Sequence, residues 1–260
     1  MIADSHCHLS SPELYQDIES VLKRAHDAGV SYFLNAGGKF DELKVQLDIC
    51  HRFKNIWTVT GVHPHDSSAY ADIKAEDVLK NTTYSKVVAI GECGLDYFYD
   101  FSPRDTQIKV FREMIKAAQE SALPLIVHTR EADADTIEIL MNAYKKKPFF
   151  GEIHCYSSSL KLAKEALKIG FYISASGIIT FNNAQTLRDN FKFVPMEKLL
   201  IETDSPYLAP VPMRGKIAEP SYIVHTAEML AQIKRVTFEK VCVQTKQNFF
   251  KLFRKVISDD

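Results

Sequence analysis

The chain has 260 residues, 46% hydrophobic and 25% charged, which excludes disordered, collagen-like and coiled-coil classes and leaves length for one barrel domain over residues 1–260. Thirty-two lysines and arginines against 33 acids give a net charge of −1, so no global positive field draws it to nucleic acid or anionic membrane, and contact with a polyanion must be local. No apolar run reaches the length of a spanning helix and the start, M-I-A-D-S-H, lacks a basic leader region, so a cytoplasmic protein without membrane contact is expected. Five cysteines, an odd number without a C-x-x-C pair, read as free thiols.

In chain order, short apolar runs at residues 2–9, 31–36, 56–62, 86–92, 124–128, 149–154, 171–174 and 198–204 predict eight strands. The gaps suit one helix per crossover. In the first gap Ser11-Pro12-Glu13 supplies a cap, a first-turn proline and an acid at the positive helix end, and Ala28-Gly29 closes the run. Residues 103–121 align Val110, Phe111, Met114, Ile115 and Ala118 on one helical face, and 135–144 repeat the habit. A loop rich in proline and glycine over 205–220 precedes helices predicted at 221–234 and 237–255. The alternation predicts an α/β fold, a (β/α)8 barrel of TIM type, with an open doubly wound sheet as the alternative.

The histidines favour the barrel. His6, His8, His63, His65, His128 and His154 fall at or just past strand ends, whereas His26, His51 and His225 fall on helices. A barrel gathers chemistry at the C-terminal ends of many strands. Strand periodicity puts His6 and His8 on one face and Cys7 on the other, and Cys93 and Cys155 take the same alternate position, as outer core residues. Glu92 and Asp204 close two apolar runs, where a lone carboxylate costs several kcal/mol unless paired or metal-bound. Imidazoles bring neutral donors and no countercharge, so a cation resolves the conflict. Four histidines and two acids exceed the ligand set of one catalytic zinc and suit two divalent ions, with Glu92, from a middle strand, best placed to bridge. Against a bridging hydroxide and these two carboxylates, two such ions leave a charge of about +1, which favours an anionic phosphodiester. His63 divides between substrate contact and structure, His65 leans to structure, and Tyr97-Phe98-Tyr99 either stacks bases or packs under loops.

The motifs D-S-H-C-H-L at 4–9, G-V-H-P-H at 61–65, I-G-E-C-G-L-D-Y at 90–97, V-H-T-R-E-A at 127–132, I-H-C-Y-S at 153–157, I-T-F-N-N-A at 179–184, E-T-D-S-P-Y-L-A-P at 202–210 and R-G-K at 214–216 run nearly end to end. With them the chain resembles the TatD family of metal-dependent hydrolases, within the amidohydrolase-like barrels. The resemblance implies one divalent ion held by His6, His8, Glu92 and Asp204 and a second by Glu92, His128 and His154. It implies deoxyribonuclease activity supported by magnesium or manganese, with zinc or nickel as other possible bound ions, DNA as substrate and no obligate protein partner.

Asp204 is then the base for in-line attack by water. Arg130, Arg214 and Lys216 are candidate phosphate clamps, and Asp96 and Tyr156 candidate pocket residues. Tyr99, Met213 and Ala218 depart from the family pattern on loops expected at the substrate face. Two other readings compete with it: an ester hydrolase such as an aminoacyl-tRNA deacylase, and a metal-stabilised binding scaffold without turnover.

Overall fold

Runs of β-branched and apolar residues too short to bury a helix form eight parallel strands: β1 (Ile2–Cys7), β2 (Val30–Asn35), β3 (Ile56–Thr60), β4 (Val87–Asp96), β5 (Leu125–Arg130), β6 (Gly151–Ile153), β7 (Tyr172–Ala175) and β8 (Leu199–Ile201). The computed structural model describes residues 1–37 and 39–257, so the end of the expected 1–260 domain lies outside the described residues. Each strand pairs with its successor in sequence. A doubly wound sheet would reverse this order at a switch point.

Beyond β8 the chain turns back onto β1. The Asp204 amide donates to the His6 carbonyl (2.9 Å) and the His8 amide to the Ser205 carbonyl (2.8 Å). Ser5 Oγ donates to the Ile201 carbonyl at 3.1 Å. These bonds close the barrel and bring the first and last strands' functional residues together.

Among the described residues ten α-helices lie between the strands or after the last one: α1 (Pro12–Tyr15), α2 (Ile18–Asp27), α3 (Leu43–Arg52), α4 (Ala75–Asn81), α5 (Arg104–Ser121), α6 (Asp133–Lys146), α7 (Leu160–Lys168), α8 (Gln185–Phe193), α9 (Ile223–Lys234) and α10 (Phe238–Leu252). The single helix expected after Ser11 divides into α1 and α2 at Gln16 and Asp17. α10 starts where Thr237 Oγ accepts from the Lys240 amide, an N-cap that satisfies one otherwise unpaired donor. Among the described residues no helix is long and apolar enough to cross a membrane.

Two apolar layers set the height of the site. Leu34, Trp57, Val59, Ile126 and Leu200, from four strands, pack together inside the barrel, and Phe249 and Phe253 join them. Val110, Phe111, Met114 and Ile115 belong to the larger core between strands and helices. Polar side chains therefore collect at the other end of the barrel, where the strand ends open.

Two strand boundaries differ from expectation with consequences for chemistry. β4 runs four residues past Glu92 to Asp96, because Gly94 lets it hug β5. Gly94 has φ +142° and a Cβ there would collide with the His128 carbonyl. β8 ends at Ile201, before the predicted Asp204, whose left-handed φ of 55° turns the chain instead of extending it.

Candidate metal centre

The H-x-H pair faces the centre at an irregular stretch of β1. Its register with β2 shifts between Asp4 and Cys7. Ser5 Oγ lies 3.2 Å from Ser174 Oγ, yet the next ring, His6, stacks on His154 with centroids 4.1 Å apart. Buried Asp4 braces this segment, accepting from the Thr203 amide (3.0 Å) and the Thr203 hydroxyl (2.6 Å). Burial pushes the Asp4 carboxyl up to about 8, although the Thr203 bonds pull the other way.

Glu92 stands at the middle with its two oxygens facing different partners. Oε2 lies 3.2 Å from His6 Nε2. His6 Nε2 lies 3.8 Å and His8 Nε2 3.2 Å from Asp204 Oδ1, so these four residues gather on one side. Oε1 faces His154 Nε2 at 2.7 Å, His128 Nδ1 at 3.0 Å and His63 Nε2 at 3.4 Å. The triads His6, His8, Glu92 and His63, Glu92, His128 each converge closely enough to share an ion.

The donor set fits divalent cations. His6 is fully buried with neither ring nitrogen hydrogen-bonded, and His154 Nδ1 and both Glu202 oxygens likewise lack a well-formed hydrogen bond. Among the described residues no lysine or arginine forms an ion pair with Glu92, Asp204 or Glu202. Buried carboxylates facing imidazole lone pairs carry a strong penalty that a cation removes.

Neighbouring groups aim the rings. His8 Nδ1 lies 3.0 Å from the Gly37 carbonyl, leaving Nε2 for Asp204. His128 Nε2 lies 3.0 Å from Asp96 Oδ2, which leaves Nδ1 for Glu92. Asp96 Oδ2 also meets His65 Nε2 at 3.0 Å. Glu202 sits behind the stacked His6 and His154 rings, with Oε1 3.4 Å from His154 Nδ1. Such outer carboxylates fix the tautomer of a ligating imidazole.

The electrostatics follow the geometry. Burial pushes the Glu92 carboxyl up, but the imidazoles of His154, His63 and His6 outweigh it and hold it well below the usual range. Burial, reinforced by His154 beside His6 and by His128 and His65 beside His63, holds both imidazoles low against the pull of Glu92, which favours the neutral form a ligand needs. His154 is raised well above its ordinary value, because Glu92 and Glu202 overcome the burial that opposes charge. For His8, burial is outweighed by Asp204, and its value rises from 6.5 to about 9.

The sign of that last shift gives a test. The His8–Asp204 pairing stabilises metal-free protein fully below pH 6.5, and the contribution fades as pH rises through about 9. Melting temperatures of chelator-treated protein should therefore fall across this window more steeply than those of His8→Gln. Parallel slopes for the two proteins would contradict the pairing.

A cavity of about 920 Å3 opens over the centre, lined by His8, His63, Glu92, His128, His154 and Asp204. His6 lies behind this lining and Arg130 within it. Four expected substrate residues lie outside this lining, the first being Asp96, which is 1% exposed and held by His128 and His65 behind the cavity wall. Tyr156 is 1% exposed, and its hydroxyl donates to the Ser159 carbonyl and accepts from Asn190, so it is a core residue under α7 and α8. Arg214 is exposed outside the cavity lining, donating to the Ala209 carbonyl with its guanidinium 3.9 Å from the Phe181 ring. Lys216 is exposed beside Met213, also outside the lining.

Cys7 and Cys93 lie in the outer core as expected, but Cys155 does not. Its left-handed φ of 42° turns it to the cavity wall, where burial keeps the thiol protonated. Sequence reasoning missed Asp4 and Glu202. Both stand in the D-S-H and E-T-D motifs two residues before a ligand candidate, the spacing that could have marked them.

The family model of TatD related DNase matches residues 3–254. The chain is 38% identical over 257 residues to "Uncharacterized metal-dependent hydrolase YabD" of Bacillus subtilis, covering 98% of this chain and 99% of the relative. It is 32% identical over 251 residues to "3'-5' ssDNA/RNA exonuclease TatD" of Citrobacter rodentium, covering 95% of each. The crystal structure of YJJV, a TatD homolog from Escherichia coli, superposes with a TM-score of 0.90 at 26% identity, covering 97% of this chain and 98% of that one.

Proposed function

The chain belongs to the family of TatD related DNases, and from that premise we propose that it is a divalent-metal-dependent hydrolase cleaving phosphodiester bonds of DNA. The observation that carries the reading is the division of Glu92, one oxygen toward His6 and the other toward His63, His128 and His154. A carboxylate so placed suits a bridging ligand between two ions. Relatives bearing hydrolase and nuclease names support the direction of the chemistry.

His6, His8, Glu92 and Asp204 would hold one ion, and Glu92, His128 and His154 the other, with His63 beside it. When bound, such ions supply Lewis-acid polarisation and neutralise phosphoryl charge, magnesium or manganese serving activity while zinc or nickel also suits imidazole donors. Asp204 accepts the proton of the attacking water at a carboxylate oxygen, which His8, outweighing the burial that opposes charge there, keeps ionised and free to accept. Arg130, in the cavity wall, donates to a non-bridging phosphate oxygen. Asp96 and His65 act through His128, holding its ring in place.

The test is metal content per chain measured beside hydrolysis of single- and double-stranded DNA in magnesium, manganese and zinc, with aminoacyl-tRNA in parallel. About two ions per chain and metal-dependent DNA cleavage are expected. Deacylation without DNA cleavage would transfer the site to ester hydrolysis. Bound metal with no turnover of either substrate would leave a binding scaffold.

A further inference from the structure

The loop after β4 carries an aromatic surface at the mouth of the cavity that the hydrolytic chemistry does not use. Phe98, Tyr99 and Phe101 are 49%, 45% and 65% exposed, too open to be core residues beneath neighbouring loops. The Tyr99 and Phe101 rings lie nearly parallel, 9° apart in plane and 5.3 Å between centroids. His65 meets both edge-on, at 5.4 and 4.9 Å. The Arg130 guanidinium lies 3.9 Å from the Phe98 ring centroid and 4.7 Å from that of Tyr99, and among the described residues no carboxylate pairs with it.

These rings are held out by a braced backbone. Asp96 Oδ1 accepts from the Phe98 and Tyr99 amides, each at 3.0 Å. Gln107 Nε2 donates to the carbonyls of Asp96 (3.0 Å) and Ser102 (2.8 Å), pinning both ends of the loop. The other Asp96 oxygen holds His128 and His65. One carboxylate thus sets both a metal-ligand candidate and the aromatic rim, so their separation is fixed before any substrate arrives. Rigid exposed rings with little entropy left to lose are the feature that stacking recognition needs.

We propose that Tyr99 and Phe101 form a stacking platform for an unpaired nucleobase, holding a single nucleic-acid strand with its scissile phosphate over Glu92. The inference rests on the nuclease reading and adds the residues that would hold the strand. Bases in a duplex already stack on their neighbours and offer no free face, whereas every unpaired base does. Arg130 completes the platform as a cation beside the rings that can meet the strand's phosphate.

The experiment uses metal-loaded full-length protein and two polymers of equal length: a single-stranded oligodeoxynucleotide, and the same phosphodiester chain built of abasic tetrahydrofuran residues. For wild type, KM on the base-bearing strand should be lower by roughly 5- to 100-fold, the worth of stacking one base. In Tyr99→Ala combined with Phe101→Ala the ratio of the two KM values should collapse toward one, and Tyr99→Phe with Phe101→Tyr should restore it. Equal KM values for wild type, or a ratio preserved in the double alanine variant, would overturn the platform and leave the nuclease reading standing. Failure of wild type to cleave either polymer would overturn both. Both side chains are exposed, and thermal melts of the variants show whether folding is intact.

Discussion

Glu92→Gln is expected to strip the centre of its metal and to reduce hydrolysis by about 10^3-fold or more, a barrier increase of about 4 kcal/mol. The size of the effect follows from geometry. Among the described residues Glu92 alone has an oxygen on each side of the centre, so its amide replacement weakens both ion positions, where any histidine change weakens one. A glutamine also offers an amide N–H to ring nitrogens that need an acceptor or a cation. The loss should reach stability as well, because imidazoles held high by Glu92, His154 above all, would keep a buried charge with less compensation. Metal content after gel filtration is the direct readout. A variant that retains its full complement of ions would show that Glu92 does not bridge.

Asp204→Asn should lower kcat by roughly 10^2- to 10^4-fold, the range for loss of a positioned proton acceptor. Its signature differs from that of Glu92→Gln. Asp204 approaches only the His6 and His8 side, at 3.8 and 3.2 Å, so at most the ion on that side should be lost. Metal analysis should show partial depletion while hydrolysis is nearly abolished. Full activity in the asparagine variant would remove Asp204 from the proton transfer, and equal loss of all metal would mean that the two sides of the centre do not bind independently.

Much of the site could be read from local spacing. The H-x-H of β1, Glu92 and Asp204 closing apolar runs, and His128 and His154 at later strand ends carry their chemistry in their context, because an ionisable side chain after a buried strand needs a partner. Arg214 and Lys216 could not be placed this way. They stand beside a motif, yet the long loop after β8 turns them from the cavity, and loop direction is a matter of tertiary contacts. Tyr156 follows His154 by two residues, but the left-handed turn at Cys155 breaks the alternation that would have aimed it inward. His63, which its local context leaves between substrate contact and structure, has Nε2 3.4 Å from Glu92 Oε1 because the fold brings β3 and β4 side by side.

By itself the sequence determined the order of strands and helices and the chemical identity of the donors, since hydrophobic period and side-chain type are local properties. Only the tertiary structure decided which lone pairs face one another. His8 and Asp204 are 196 residues apart and meet through the β1–β8 seam. His6 faces Glu92 from an irregular stretch of β1, and the left-handed backbone at Asp204 sets its carboxylate. Bulges and closure arise from packing the whole barrel at once, and no window of neighbouring residues encodes them.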